Sequence, residues 1–223
     1  MIISASRRTD IPHYYSQWFF NRVREGFLCV RNPMNPRQVS RIALSTQAVD
    51  CIVFWTKNPE PMMDRLEELK GYCYYFQFTL TGYGQDVEPG LPSKEQVLIP
   101  VFRRLSEQIG AERVIWRYDP ILFSQSYTRE WHINTFRRLS SALAGYTRRC
   151  VISFVDLYAR NQKGMEKIGA RGIDGGWTQG ERLEGERLGR FAAQLNEAAR
   201  ESGMELVTCA EKADLSPWGI AHG

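Results

Sequence analysis

Cys51-Ile52-Val53-Phe54-Trp55 runs straight into Thr56-Lys57-Asn58-Pro59. The first five residues are an apolar run of strand length. The next four are polar, with Asn-Pro suited to open a helix. The same pattern recurs along the chain: Ile2-Ile3-Ser4-Ala5-Ser6 runs into Arg7-Arg8-Thr9-Asp10, and Tyr74 to Leu80 into Thr81-Gly82. Val114-Ile115-Trp116 runs into Arg117-Tyr118-Asp119-Pro120, Val151 to Val155 into Asp156, and Leu206-Val207-Thr208-Cys209 into Glu211-Lys212.

Helical periodicity fills the gaps between these runs. It predicts helices over 13–25, 59–70, 94–109, 129–144 and 181–202, with Pro100 kinking the third. Alternating strands and helices mean parallel strands with right-handed crossovers. The expected fold class is α/β, a TIM-like partial (β/α)6 barrel with mostly parallel strands. Residues 1–223 are read as one barrel domain. Residues 27–45 interrupt the alternation and read as an elaborated loop or small hairpin. Residues 159–180 are rich in Gly, Lys and Arg and read as a long mobile loop. Ser216 to Gly223 reads as a loop with no element after it, leaving the last strand as an open edge.

Composition narrows the function classes. The chain has 43% hydrophobic and 24% charged residues, as in an ordinary globular protein. No apolar run approaches the roughly 18 residues of a membrane helix, and no basic-then-apolar leader opens the chain, so the cytoplasm is the expected location. A net charge of +4 is small for a dedicated nucleic-acid binder, so nucleic acid is not an expected partner. The basic pairs Arg103-Arg104, Arg137-Arg138 and Arg148-Arg149 fit solvated helix faces or a weak anion patch. The five cysteines form no CxxC, and no metal ligand is assigned among them. Cys51, Cys73 and Cys150 open strands and are expected as small buried hydrophobes, whereas Cys209 falls near a strand end.

In α/β folds, ligands bind at the carboxyl ends of the strands. The polar endings therefore mark a candidate mouth for a small-molecule ligand. Period-two alternation puts Tyr75, Gln77, Thr79 and Thr81 on one face and Phe76, Phe78 and Leu80 on the other. The same reading places Ser4, Ser6, Thr56, Arg117, Asp119, Ser153 and Thr208 inside the barrel. The candidate ligand-binding set is Arg7, Arg8, Thr56, Asn58, Gln77, Thr79, Arg117, Ser153 and Thr208. The candidate catalytic set is Asp10, Lys57, Asp119 and Glu211. Arg117 admits two readings, a guanidinium holding a ligand carboxylate or phosphate, or a structural ion pair. Asp10 and Asn58 could equally cap helices. Of the three histidines, only His13 falls beside a polar strand ending. No GxGxxG, P-loop or GxSxG occurs.

Ile3-Ser4-Ala5-Ser6-Arg7-Arg8-Thr9-Asp10-Ile11-Pro12, Arg31-Asn32-Pro33, Phe54 to Pro59 and Arg117-Tyr118-Asp119-Pro120 resemble the bacterial family catalogued as domain of unknown function 1848, over essentially the whole chain. Members of that family typically carry a C-terminal cysteine cluster that looks like the iron–sulfur motif of radical S-adenosylmethionine enzymes. The resemblance implies a radical-type partial barrel, with a 4Fe-4S cluster and S-adenosylmethionine as cofactors of the full-length protein. This sequence stops after Trp218-Gly219-Ile220, about where that tail is expected, and none of its cysteines carries over as a cluster ligand. The function so implied is the barrel of a radical S-adenosylmethionine-like enzyme. The alternative is a metal-free β/α-barrel enzyme or binding protein for a small phosphate- or carboxylate-bearing ligand. A second copy of the chain, or the missing tail, is expected to cover the open edge.

Overall fold

A computed structural model describes residues 1–6, 9–155, 185–209 and 213–222. Arg7, Arg8, Asp156, the segment 159–180, Glu211 and Lys212 lie outside the described residues. The chain divides into two compact units, Met1–Phe78 and Thr79–Gly223.

The first unit holds three parallel strands in the order β1 (Ile2–Ala5), β4 (Cys51–Thr56) and β5 (Tyr74–Thr79), the last residue of which opens the second unit. Their registers put Ala5 beside Phe54, and Phe54 beside Phe76. Phe54 and Phe76 stack at 4.9 Å between ring centroids, and Phe19 meets Phe54 edge-on at 5.2 Å. Phe19 belongs to α2 (Ser16–Glu25), so this face is the one that the helix covers. The predicted helix over 13–25 is two pieces, α1 (Ile11–Tyr14) and α2, because Tyr15 leaves helical geometry with φ −133°. Gly26, at φ 75°, ends α2 in the left-handed conformation that glycine adopts without steric cost.

β2 (Phe27–Arg31) and β3 (Val39–Ala43) form an antiparallel hairpin, the small hairpin expected at 27–45. At its tip Asn32 accepts from the Met34 amide at 2.9 Å and donates to Gln38 at 2.7 Å, an asparagine-centred turn. The predicted helix over 59–70 is one turn, α3 (Glu60–Met63), followed by a 3-10 turn at Leu66–Leu69.

The second unit holds four parallel strands in the order β6 (Val114–Ile121), β7 (Arg149–Phe154), β8 (Glu205–Thr208) and β9 (Ala221–His222). Pro100 does not kink a helix from within. A π-helical turn at Lys94–Leu98 precedes α4 (Ile99–Ile109), and Pro100 falls in the first turn of α4, where a missing N–H costs nothing. α5 (Arg129–Leu143) starts on Thr128, whose side chain accepts from the Trp131 amide at 3.1 Å. Its Phe136 stacks on Trp116 of β6 at 4.8 Å. α6 (Gly185–Glu201) buries Leu188, Phe191, Ala192 and Leu195.

The tail corrects one expectation. Ser216–Trp218 forms a 3-10 turn, and Ala221–His222 adds a strand beside β8, with Val207 opposite Ala221. Asn196 of α6 donates to the carbonyls of Trp218 and Gly219 at 3.1 and 3.2 Å, fixing the turn on the helix. The expected α/β class with parallel strands is present. Within each unit, the described pairings form open ladders and close no barrel.

Candidate functional site

In the first unit the polar residues gather where β1 and β4 end. Asp10 follows β1, and its carboxylate accepts from three donors. Oδ1 takes the His13 amide at 3.0 Å, which caps α1. Oδ2 takes the Thr56 hydroxyl at 2.9 Å and the Lys57 amide at 2.7 Å. Asp10 thus latches the chain after β1 to the end of β4. Thr56 Oγ1 also accepts from the Asn58 amide at 3.1 Å, and Asn58 Oδ1 from the Glu60 amide at 3.2 Å, so the Thr56-Lys57-Asn58 loop is built around its own side chains. Ser6 holds φ 137°, a backbone state that non-glycine residues seldom adopt, and its hydroxyl accepts from the Ile11 amide at 3.2 Å. Such outliers concentrate at functional sites. Among the described residues, His13 Nδ1 is buried without a hydrogen-bond partner.

Strand register decides which residues share a side. Trp55 lies beside Gln77 and Thr56 beside Phe78. By alternation Thr56 is therefore on the Phe54 and Phe78 side, not on that of Gln77. Trp55, which the sequence reading passed over, shares the side of Gln77. Ser4 also shares that side, through its register with Val53, but is exposed and not enclosed in an interior.

The second unit carries the sharper cluster. On β6, Trp116 and Tyr118 face α5, where Tyr118 meets Phe136 edge-on at 5.2 Å. Arg117 and Asp119 point to the opposite side. Arg117 is 5% exposed and ion-pairs with Asp119. Register with β7 and β8 puts Arg117 beside Val151, and Val151 beside Val207. Ser153, two residues on, therefore shares the Arg117 side, half-buried. Thr208 lies beside Ile152 and so faces the other way. Its hydroxyl meets His222 Nδ1 at 3.3 Å, a contact with β9 and not with Arg117. Thr79 is half-buried at the end of β5. The Leu80 amide beside it donates to the Arg117 carbonyl at 3.0 Å.

Around this end stand groups that the sequence reading missed. Thr81 donates to Glu88 at 2.7 Å, and Lys94 closes an ion pair on the same carboxylate. The Glu88 side chain is 4% exposed and that of Lys94 12%. Tyr83 donates to the Pro120 carbonyl at 2.9 Å and accepts from the Leu122 amide at 2.9 Å. Burial pushes the Tyr83 phenol well above its ordinary range, and the negative charges of Glu88 and Asp119 push the same way. Both carboxylates thus act on one phenol. Tyr127 donates to Asp86 at 2.5 Å and accepts from the Gly84 amide at 3.1 Å. Only Thr81 signalled this cluster in the sequence. Glu88 and Lys94 sit in a loop and a helix start, where charge is ordinary.

His132 lies apart, on α5. Leu122's carbonyl can only accept, so Nε2 carries the proton at 2.8 Å, and Nδ1 accepts from the Tyr118 hydroxyl at 2.8 Å. Both nitrogens are satisfied only in the neutral ring, and burial pulls its pKa down to about 4. Cys150 is fully buried, as expected, whereas Cys73 is exposed and Cys51 half-buried. Among the described residues, no three His, Cys, Asp or Glu side chains converge on a metal position. No described helix is long and apolar enough to cross a membrane. An open groove of about 560 Å³ lies along α6, lined by Gln194, Glu197, Arg200 and Trp218 among others. It holds no strand-end residue, and the buried ionic cluster is the chemically richer place.

Parallel strands joined through helices, with polar side chains at several of their carboxyl ends, define an α/β protein. The family model for domain of unknown function DUF1848 matches residues 2–223, and the chain belongs to that family. No curated protein matches it.

Proposed function

We propose that this chain is an α/β enzyme that takes a small phosphate- or carboxylate-bearing molecule at the carboxyl end of β6. The observation that carries the reading is Arg117, a guanidinium 5% exposed, paired with Asp119 on one side of that strand. Desolvating a guanidinium is costly unless charge and hydrogen bonds compensate it. Its planar fork of five N–H donors is also the group best shaped for an oxyanion, alongside a carboxylate neighbour. In the TIM-like partial barrel that the strand alternation implies, this side of β6 is the interior. Arg117 would hold and orient the anion, Ser153 and Thr79 would hydrogen-bond it, and Asp119 would take or return a proton.

The test is thermal stabilisation. An anion at about a hundred times its dissociation constant stabilises the fold by about 2.7 kcal/mol. For a chain of this size that raises Tm by about 5–10 °C. Phosphate, phosphate esters and short carboxylates should be compared on wild type, Arg117→Ala and Arg117→Lys. The shift should vanish in the first variant and weaken in the second. No shift with any anion, or a shift that survives Arg117→Ala, refutes the reading.

The second reading is the radical S-adenosylmethionine enzyme that the sequence resemblance implies, although the matching family model itself names no activity. The described residues do not fit an iron–sulfur cluster, since no group of three ligands stands together among them. The chemistry proposed for Arg117 uses neither cluster nor S-adenosylmethionine. Anaerobic reconstitution of the natural full-length protein decides it. An iron-binding species that cleaves S-adenosylmethionine supports this reading, and a colourless, iron-free protein removes it.

A further inference from the structure

Cys51 and Cys73 are far apart in sequence and adjacent in the fold. β4 and β5 pair in parallel with Ile52 beside Tyr74, so one step back brings Cys51 beside Cys73. The Ile52 amide donates to the Cys73 carbonyl at 2.9 Å and fixes that step. Aligned residues of neighbouring parallel strands point to the same side. Burial, and then the neighbouring Cys73 thiol, push the Cys51 thiol up, so Cys73 is the better placed to react first.

Neighbouring strands lie about 4.8 Å apart, inside the Cα separation of about 4.4–6.8 Å that disulfides span. The Cβ atoms must approach slightly closer than that spacing. Cys73 stands one residue before β5 begins, where the chain is freer to tilt than inside the ladder. Cys73 is exposed, and Cys51 is half-buried. That division suits an entering thiol and a resolving thiol. The pair lies at the amino ends of its strands, opposite the ends that carry Thr56 and Gln77.

We propose that Cys51 and Cys73 form a reversible disulfide, a redox-responsive modification site that ties β4 to β5 at their amino ends. A low-molecular-weight disulfide such as oxidised glutathione is the oxidant. The Cys73 thiolate attacks one sulfur of that disulfide, forming a mixed disulfide and expelling one thiolate. The Cys51 thiolate then attacks the Cys73 sulfur, forming the Cys51–Cys73 bond and expelling the second. The protein loses two protons and two electrons, and the oxidant becomes two thiols. The ring so closed contains the whole Thr56-Lys57-Asn58 loop, so oxidation restrains the unfolded chain around one corner of the candidate mouth.

The experiment uses the intact chain, reduced and then equilibrated in glutathione buffers from reducing to oxidising. Thiols are trapped with maleimide and read by intact mass and tryptic mapping. Lys57, Arg65 and Lys70 put the two cysteines on separate tryptic peptides. Oxidation should remove two of the five thiols, join the Cys51 and Cys73 peptides, lower the mass by two hydrogen atoms and reverse with dithiothreitol. Cys51→Ser should instead stop at Cys73 carrying glutathione, and Cys73→Ser should leave Cys51 reduced. The proposal is overturned if wild type keeps all five thiols at the oxidising limit. Glutathione retained on Cys73 without a cross-link overturns it too, as does a cross-link through other cysteines.

Discussion

Replacing Asp10 by alanine removes an acceptor from three donors at once. The lost cap on the His13 amide costs about 1 kcal/mol. The Lys57 amide, 2.7 Å from the carboxylate and part-buried, loses its partner at about 1–2 kcal/mol. The Thr56 hydroxyl loses its acceptor but still receives the Asn58 amide, so its share is smaller. Together the change should destabilise the protein by about 3 kcal/mol. At about 2–4 °C per kcal/mol for a chain of this size, Tm should fall by about 6–12 °C. Asp10→Asn separates the contributions. Its carbonyl can keep the His13 cap, and the Thr56 hydroxyl can turn to accept from the new amide, while the Lys57 N–H meets a donor. About half the loss should remain. Urea and thermal unfolding followed by far-UV circular dichroism measure both variants. An alanine variant within about 0.5 kcal/mol of wild type would refute the latch and leave Asp10 free for catalysis alone.

Acid should probe His132. Its folded pKa of about 4 lies below its unfolded value of about 6.5, so the unfolded chain binds the extra proton first. Stability is then full above about pH 6.5 and falls as pH drops towards 4, by at most about 3 kcal/mol. Denaturant midpoints across that window should show the slope in wild type and lose most of it in His132→Gln. An unchanged slope would contradict the assignment. Gly189→Ala tests the docking of the tail, because a Cβ there would stand 1.9 Å from the Trp218 ring. Overpacking of this kind costs about 1–3 kcal/mol, and Trp218 should become more solvent-exposed by fluorescence quenching. A variant with native stability and native quenching would show that the tail packs differently.

The two Asp-centred pairings differ in kind. Asp10 accepts mainly from backbone amides and a hydroxyl, an arrangement that holds one chain segment to another. Asp119 pairs with a nearly buried guanidinium at a strand end, an arrangement that holds two opposite charges largely out of water. The Glu88–Lys94 pair and Tyr83 crowd further polar groups around the same region. Charge concentrated where side chains are desolvated is a stronger sign of a site than the polar residues of the Thr56-Lys57-Asn58 loop, which largely serve one another.

The strand runs, the parallel pattern and most helix positions were legible in the sequence by itself, because periodicity and caps are written within a few residues. Thr128 before its helix and Gly26 after α2 are such local signals. The break at Tyr15 was not legible, since the apolar spacing runs across it. Faces within one strand were legible too, which is why Gln77 was set opposite Phe76 and Phe78, and Arg117 opposite Trp116 and Tyr118. The step from one strand to the next was not. Register alone put Thr56 and Thr208 on the sides away from Gln77 and Arg117, and brought Cys51 beside Cys73. The same holds for Glu88 on Lys94, Asn196 on the tail, and the short β9 beside β8. Each is a contact between residues distant in sequence, chosen by packing and backbone hydrogen bonding across the fold, and no local pattern encodes it.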